Sequence, residues 1–140
     1  MTSFLLDTNV LSEIRKGSQA DARVMRWWDQ IEATQVYLSV LCLGEIRYGI
    51  ELKRRNDMKQ SDVLERWLQI TISQFGDRIL PVTEVVAEQW GRQSLDQRLP
   101  DADGLMAATA TVHGLTMVTR NTKDFLRSEA LVFNPWEFKE

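Results

Sequence analysis

Hydrophobic residues along this chain fall alternately into short continuous runs and longer periodic stretches. Phe4-Leu5-Leu6 is a brief apolar run ended by Asp7-Thr8-Asn9, residue types that favour helix N-caps. It predicts a strand, then a helix to about Arg15 that stops at Lys16-Gly17. Val24, Trp27, Trp28 and Ile31 repeat at the i, i+3, i+4, i+7 spacing of a helix from Asp21 to Gln30. Val36-Tyr37-Leu38 is β-prone, and Ser39 is suited to cap a long helix from Val40 to about Arg54. Asn56-Asp57 interrupts, and Val63, Leu64, Trp67, Leu68 and Ile72 predict a helix from about Ser61 to Phe75. Gly76-Asp77 then turns into a short strand at Arg78-Ile79-Leu80, closed by Pro81-Val82. Thr83 caps a helix from Glu84 to about Asp96, and Pro100-Asp101 opens a small-residue helix, Ala102 to Val112, ended by Gly114. Leu115-Thr116-Met117-Val118 and Val132-Phe133 are the last two strands, before Asn134-Pro135-Trp136.

Short strands alternating with helices predict a single α/β domain over residues 1–140, a short parallel sheet with helices on both faces. Such sheets bind ligands outside the carboxyl ends of their strands. Asp7 follows the first strand, Thr119-Arg120-Asn121 follows the strand at 115–118, and Asp101 to Asp103 begins the helix before it. Asp7 and Thr119 share one edge if their strands are neighbours.

Composition narrows the chemistry. The 140 residues suffice for a core without disulfides, and 44% hydrophobic with 26% charged residues is globular composition. Lys and Arg number 17 against 20 Asp and Glu, a net charge of −3, which opposes coating nucleic acid by bulk charge but leaves room for a local basic patch. The longest apolar run, Val36 to Gly44, ends at Glu45, well short of the ~18 residues of a membrane span. Residues 1 to 7 carry no basic side chain, which argues against a signal peptide, and a single cysteine forbids an intrachain disulfide. A cytoplasmic protein without a membrane partner is the expectation. One Cys and one His exclude the common zinc patterns, and neither a P-loop nor a dinucleotide fingerprint is present. An enzyme of this composition works with carboxylates and a hard cation.

Three acids stand out. Glu45 lies beside the apolar positions 38, 41, 42, 46, 49 and 50 of its helix, so it borders the buried stripe, where a carboxylate needs a partner or a metal. The plain alternative is a rim carboxylate reaching water. Asp7 is a helix cap or a ligand. Asp103 faces the small-residue stripe Ala107, Ala110 and Gly114, unless Asp101 is the cap and Asp103 only a first-turn carboxylate. Thr119, Asn121 and Asp124 form a polar turn after a strand. Lys53-Arg54-Arg55 ends a helix as a solvated face or an RNA-backbone contact. Trp27 and Trp28 cannot both face one core, so one is a candidate subunit contact. His113 suits a helix C-terminus, and Cys42 reads as core.

Taken in order, Leu6 to Glu13, Leu43-Gly44-Glu45-Ile46 with Gly49, Ala102 to Ala110, and Val118-Thr119-Arg120-Asn121 with Asp124-Phe125 resemble the PIN-domain family, more narrowly its VapC-type toxins. Phe133-Asn134-Pro135-Trp136 resembles the FitB-like members. The resemblance implies an α/β endoribonuclease whose acids Asp7, Glu45 and Asp103 hold Mg²⁺ or Mn²⁺, supported by Thr8, Asn9, Thr119, Asn121 and Asp124. It implies an RNA substrate, tRNA among the candidates, with Lys53, Arg54, Arg55 and Arg120 as backbone contacts. It also implies a homodimer and a VapB- or FitA-like antitoxin through which alone DNA is met. Many members carry Asp where this chain has Asn121, which can orient a water but adds no charge, so Asp124 is the candidate substitute. The physical account agrees: like charges about 4 Å apart repel by roughly 4 kcal/mol at an effective dielectric near 20, and crowded carboxylates raise a pKa or recruit a cation. Rival readings are a signalling receiver domain, a haloacid-type phosphatase, and a catalytically weak PIN fold that only binds RNA or protein. A receiver needs paired N-terminal acids and a late Lys, where this chain has Thr8, Asn9 and Arg120. The phosphatase needs D-x-D, where it has Asp7-Thr8-Asn9.

Overall fold

The computed structural model describes residues 2–93, 98–126 and 128–140. Strands β1 (Phe4–Leu6), β2 (Val36–Ser39), β3 (Ile79–Leu80), β4 (Thr116–Val118) and β5 (Val132–Phe133) form one parallel sheet in the order 3-2-1-4-5. Side chains alternate across it: Phe4, Leu6, Val36, Leu38 and Val118 meet one core cluster, Leu5 and Met117 the other. Helices α1 (Thr8–Arg15), α2 (Ala22–Asp29), α3 (Val40–Arg54) and α4 (Met58–Phe75) supply the first cluster. Helix α6 (Asp101–His113) supplies the second, with α5 (Glu84–Arg92) packed beside it. Helices on both faces of a short parallel sheet are what the alternation predicts. The observed strand order differs from the 2-1-3-4-5 order of receiver domains.

Side-chain oxygens start most helices where the sequence placed them. Asp7 caps α1, Asp21 caps α2, Ser39 caps α3 through the Leu41 N–H, and Thr83 caps α5 through the Val86 N–H. Four boundaries differ. Helix α4 begins at Met58 rather than Ser61, because Asp57 accepts the Gln60 N–H at 3.0 Å and starts the helix itself. Helix α5 ends at Arg92, where Gln93 turns extended, and the predicted end at Asp96 lies outside the described residues. Asp101 is not a cap: Pro100 leads into α6, and Asp101 and Asp103 both sit in its first turn. The turn at 121–125 contains a four-residue helix, α7 (Thr122–Phe125).

Helix α6 is held close to its neighbours by small residues. Gly104, Ala107, Ala108 and Ala110 are buried, and a Cβ at Gly104 would stand 2.9 Å from Trp90 Nε1 on α5. Gly114 is not part of that stripe: it is exposed and ends the helix in the left-handed conformation at φ +66°. Trp27 is buried in the core while Trp28 is half-buried beside it, and Cys42 is buried as expected.

Candidate active site

The strand order places β1 beside β4, so the chain leaves both strands side by side at the sheet's carboxyl edge. Open α/β sheets form their ligand crevice where neighbouring strands run on to opposite sides, and here that point lies between β1 and β4. Leu6 pairs with Val118, and the residues that follow them are Asp7 and Thr119. Both are buried.

Asp7 is fixed from several sides. Its Oδ1 accepts the Thr8 N–H at 2.8 Å, and its Oδ2 accepts the Thr119 hydroxyl at 2.8 Å and the Asn9 amide at 3.4 Å. The Thr119 oxygen in turn accepts the Asn121 N–H at 3.0 Å, and Asn9 Oδ1 accepts the Arg120 N–H at 3.4 Å. The Thr8 hydroxyl donates to Glu45 Oε1, linking α1 to α3. Thr8, Asn9, Thr119 and Asn121 thus form one hydrogen-bonded frame around Asp7.

Four carboxylates bear on this point. Burial pushes the Asp7 carboxyl up, the Thr119 and Thr8 hydrogen bonds oppose that, and the charges of Glu45 and Asp124 add to it. Asp103, half-buried on α6, is pushed up to about 6 by burial and then by Asp7, Glu45 and Asp124. Asp124, in the short helix α7, therefore acts electrostatically on both, while Asn121 brings no charge. Glu45 corrects the reading from its helix: it is exposed rather than bordering the core, because Gly49 is also exposed and Leu41 only half-buried. Among the described residues, no three acidic, His or Cys side chains already close on a single point. The cluster is open.

The basic residues separate. Arg54 is tied to Glu51, Asp62 and Glu65, so it serves the α3–α4 hairpin, while Arg55 is exposed at the end of α3. Lys53 lines a cleft of about 350 Å³ that begins at Thr8 and Glu45. A second cleft, about 340 Å³, lies on the Asn121–Asp124 side and is lined by Arg120 and Lys123. The Arg120 guanidinium stands 5.0 Å over the Trp136 ring. Ser12, Arg15 and Gln60, none of them a candidate from the sequence, also line the first cleft, as does Trp67, which the sequence assigns only to an apolar helix stripe. A signal was present: Thr8, Ser12 and Arg15 follow one another at i, i+4, i+7, and so do Gln60, Leu64 and Trp67.

The PIN domain family matches residues 4–130. This chain belongs to the PIN-domain family. As a PIN domain it is 39% identical over 137 residues to toxin FitB of Neisseria gonorrhoeae, covering 94% of this chain and 97% of that protein. It is 29% identical over 139 residues to the VapC ribonuclease Y4jK of Sinorhizobium fredii, covering 95% and 97%. A solved structure of FitAB bound to an IR36 DNA fragment contains a chain superposing with a TM-score of 0.87 at 36% identity, covering 98% of both chains.

Proposed function

We propose that this PIN domain is the toxin of a toxin–antitoxin pair and a divalent-metal-dependent endoribonuclease. One observation carries the chemistry: Asp7 is buried and oriented at the β1/β4 crevice, with the charges of Glu45 and Asp124 acting on it and on Asp103. The kinship with FitB and a VapC ribonuclease supports the toxin and the RNA. Residues 1–140 act as one domain.

The donor set fits Mg²⁺ or Mn²⁺. Every candidate ligand is a carboxylate oxygen, and two of the carboxyls are pushed upward in a way a cation relieves. An open cluster also suits magnesium, which keeps several waters and takes few protein ligands. Asp7, Asp103 and Glu45 would hold the ion, with Asp124 supplying the charge that Asn121 lacks. A bound ion would polarise the scissile phosphate and offset its charge.

The chain's own residues do the positioning. Thr119 and the Thr8 N–H hold Asp7 in one rotamer, and Asn9 and Asn121 tie the β4–α7 turn to that frame. Glu45, exposed and steadied by Thr8, is placed to take the proton of the attacking water. Lys53 and Arg120 flank the acids from the two clefts and offset neighbouring phosphates of an RNA strand, tRNA among the candidates. Arg55 contacts backbone further out, and Arg54 contributes through the hairpin it braces.

Control falls to an antitoxin of the FitA or VapB kind, with a homodimeric toxin and DNA met only through that partner. A planar guanidinium from the antitoxin suits the acid pocket, because its fork pairs with carboxylates bidentately and competes with a cation. The toxin works in the cytoplasm, in keeping with the finding that no described helix is long and apolar enough to cross a membrane. The purified chain should cut RNA with Mg²⁺ or Mn²⁺, stop with EDTA, and lose at least a hundredfold in rate in Asp7→Asn and Asp103→Asn. Cleavage that persists in EDTA overturns the mechanism. RNA binding without any metal-dependent cut leaves the binding-module alternative.

A further inference from the structure

From the cleft between α1, α3 and α4 we infer a nucleobase slot, which seats a base of the RNA strand next to the scissile phosphate. The inference rests on the nuclease reading above and adds where the substrate is gripped. Thr8 and Glu45 belong both to the acid cluster and to the cleft, so the space opens directly onto the point of cleavage. Its volume, about 350 Å³, falls within the range of small-ligand pockets, roughly 300–1,000 Å³.

The lining has the chemistry of a single-strand subsite. Trp67 packs on the core and also lines the cleft, and the Arg15 guanidinium lies over one face of its ring, 5.6 Å from the centroid. An aromatic ring and a guanidinium plane are the two surfaces on which unpaired bases stack. Lys53 adds a second cation to the same space, in a chain whose net charge is −3, and that pair suits the phosphates flanking a base. An acidic cluster bordered by such a cleft favours a polyanion that brings one phosphate to a metal and lays its neighbour against cations.

Gly49 is where the space can be filled by substitution. It sits inside α3, where glycine weakens a helix relative to alanine. A Cβ there would meet nothing within 4 Å, as at Gly44 of the same helix, but Gly49, unlike Gly44, lines the cleft. What its missing side chain preserves is the open volume. A leucine at 49 grows into that volume, on the face of α3 that also carries Glu45.

The test uses the purified full-length chain and a 12-nucleotide single-stranded oligoribonucleotide with 2-aminopurine at its centre. Binding is read by fluorescence quenching in EDTA, and cleavage of the same oligonucleotide in Mn²⁺. Gly49→Leu and Trp67→Ala should weaken binding roughly tenfold or more and abolish the quenching, and Trp67→Phe should keep most of both. In cleavage by Trp67→Ala the loss should appear in KM with kcat little changed, as expected for a group that binds substrate and transition state alike. Gly49→Leu guards against a Trp67→Ala protein that fails to fold. Wild-type binding, quenching and KM in both Gly49→Leu and Trp67→Ala overturn the slot and leave the nuclease reading standing. A wild-type chain that binds and quenches but never cleaves, with both signals lost in Gly49→Leu, supports the slot and removes the nuclease reading. Loss of antitoxin co-purification in Gly49→Leu with RNA binding unchanged overturns the slot and assigns the cleft to the antitoxin.

Discussion

At Asp7 one carboxylate caps a helix through Oδ1 and accepts the Thr119 hydroxyl through Oδ2, so the cap is present, and the same group faces the crevice where the proposed ion would sit. Asp103 has no comparable partner role among the described residues, and its upward shift comes from burial and from the charges of Asp7, Glu45 and Asp124. The consequence for stability has a definite sign. The folded value, about 6, lies above the unfolded value near 3.9, so the folded state keeps the proton longer. Below pH ~4 both states are protonated and the site carries no penalty. As pH rises through about 6 the folded protein acquires the repulsion and loses stability. In EDTA, wild type and Asp103→Asn should therefore melt at similar temperatures near pH 4, with wild type lower by ~2–5 °C at pH 7. Mn²⁺ should raise the wild-type melting temperature and leave that of the variant nearly unchanged. A pH-independent difference in EDTA would show that the acids do not burden one another. The candidate residues after strands, Asp7 and Thr119, were legible because strand ends set the crevice. Glu45 was legible as a candidate for the wrong reason, since periodicity along α3 does not reveal that α4 leaves a cleft beside it.

Among the elements, the helix starts were the most legible, because a Ser, Thr or Asp oxygen satisfying a free N–H is a local interaction. The misread starts are instructive in the same terms. Asn56-Asp57 interrupts the apolar pattern, and Asp57 proves to be the cap of α4. Asp101 looked like a cap, but a proline in extended conformation already starts α6. Close approach of two helices is the opposite case, because it depends on residues distant in the chain. Gly104 and Gly49 are both glycines inside helices, and only the packed structure separates them. A Cβ at 104 meets Trp90 Nε1 at 2.9 Å and Cδ1 at 3.0 Å, with the Arg98 guanidinium 4.0 Å from that ring's centroid. A Cβ at 49 meets nothing. Gly104→Ala should destabilise by about 1–3 kcal/mol through overpacking. Gly49→Ala should stabilise by up to ~1 kcal/mol through helix propensity. Urea unfolding of the two variants reads both signs directly, and equal signs would contradict this account of the α5–α6 contact.

For the whole molecule, what mattered was the strand order, and that was the least legible feature. The chain permits β1 and β4 to be neighbours, but Leu6 and its partner Val118 lie 112 positions apart in the sequence, and no local pattern reports a pairing that distant. Once formed, that pairing makes one crevice from Asp7 and Thr119, brings Asp103 and Asp124 within electrostatic reach, and leaves clefts lined by cations on either side. If the proposed nuclease reading holds, a pocket so open to solvent would act on cellular transcripts whenever the chain is free. The proposed antitoxin would be the means of closing that pocket, and a chain of the solved FitAB complex superposes on this one. A partner with a basic or mixed-charge segment suits a chain of net charge −3, and its apolar contacts would fall on α2 at Trp28 and on α3 beside Glu45. Expression of this chain alone should arrest growth, and co-expression of the neighbouring small gene should restore it. Asp103→Asn should be harmless when expressed alone yet still co-purify with the small protein, which separates occlusion of the pocket from loss of fold. Unimpaired growth with wild type, at levels where RNA cleavage is measurable in vitro, would remove the toxin reading and leave a PIN nuclease without that control.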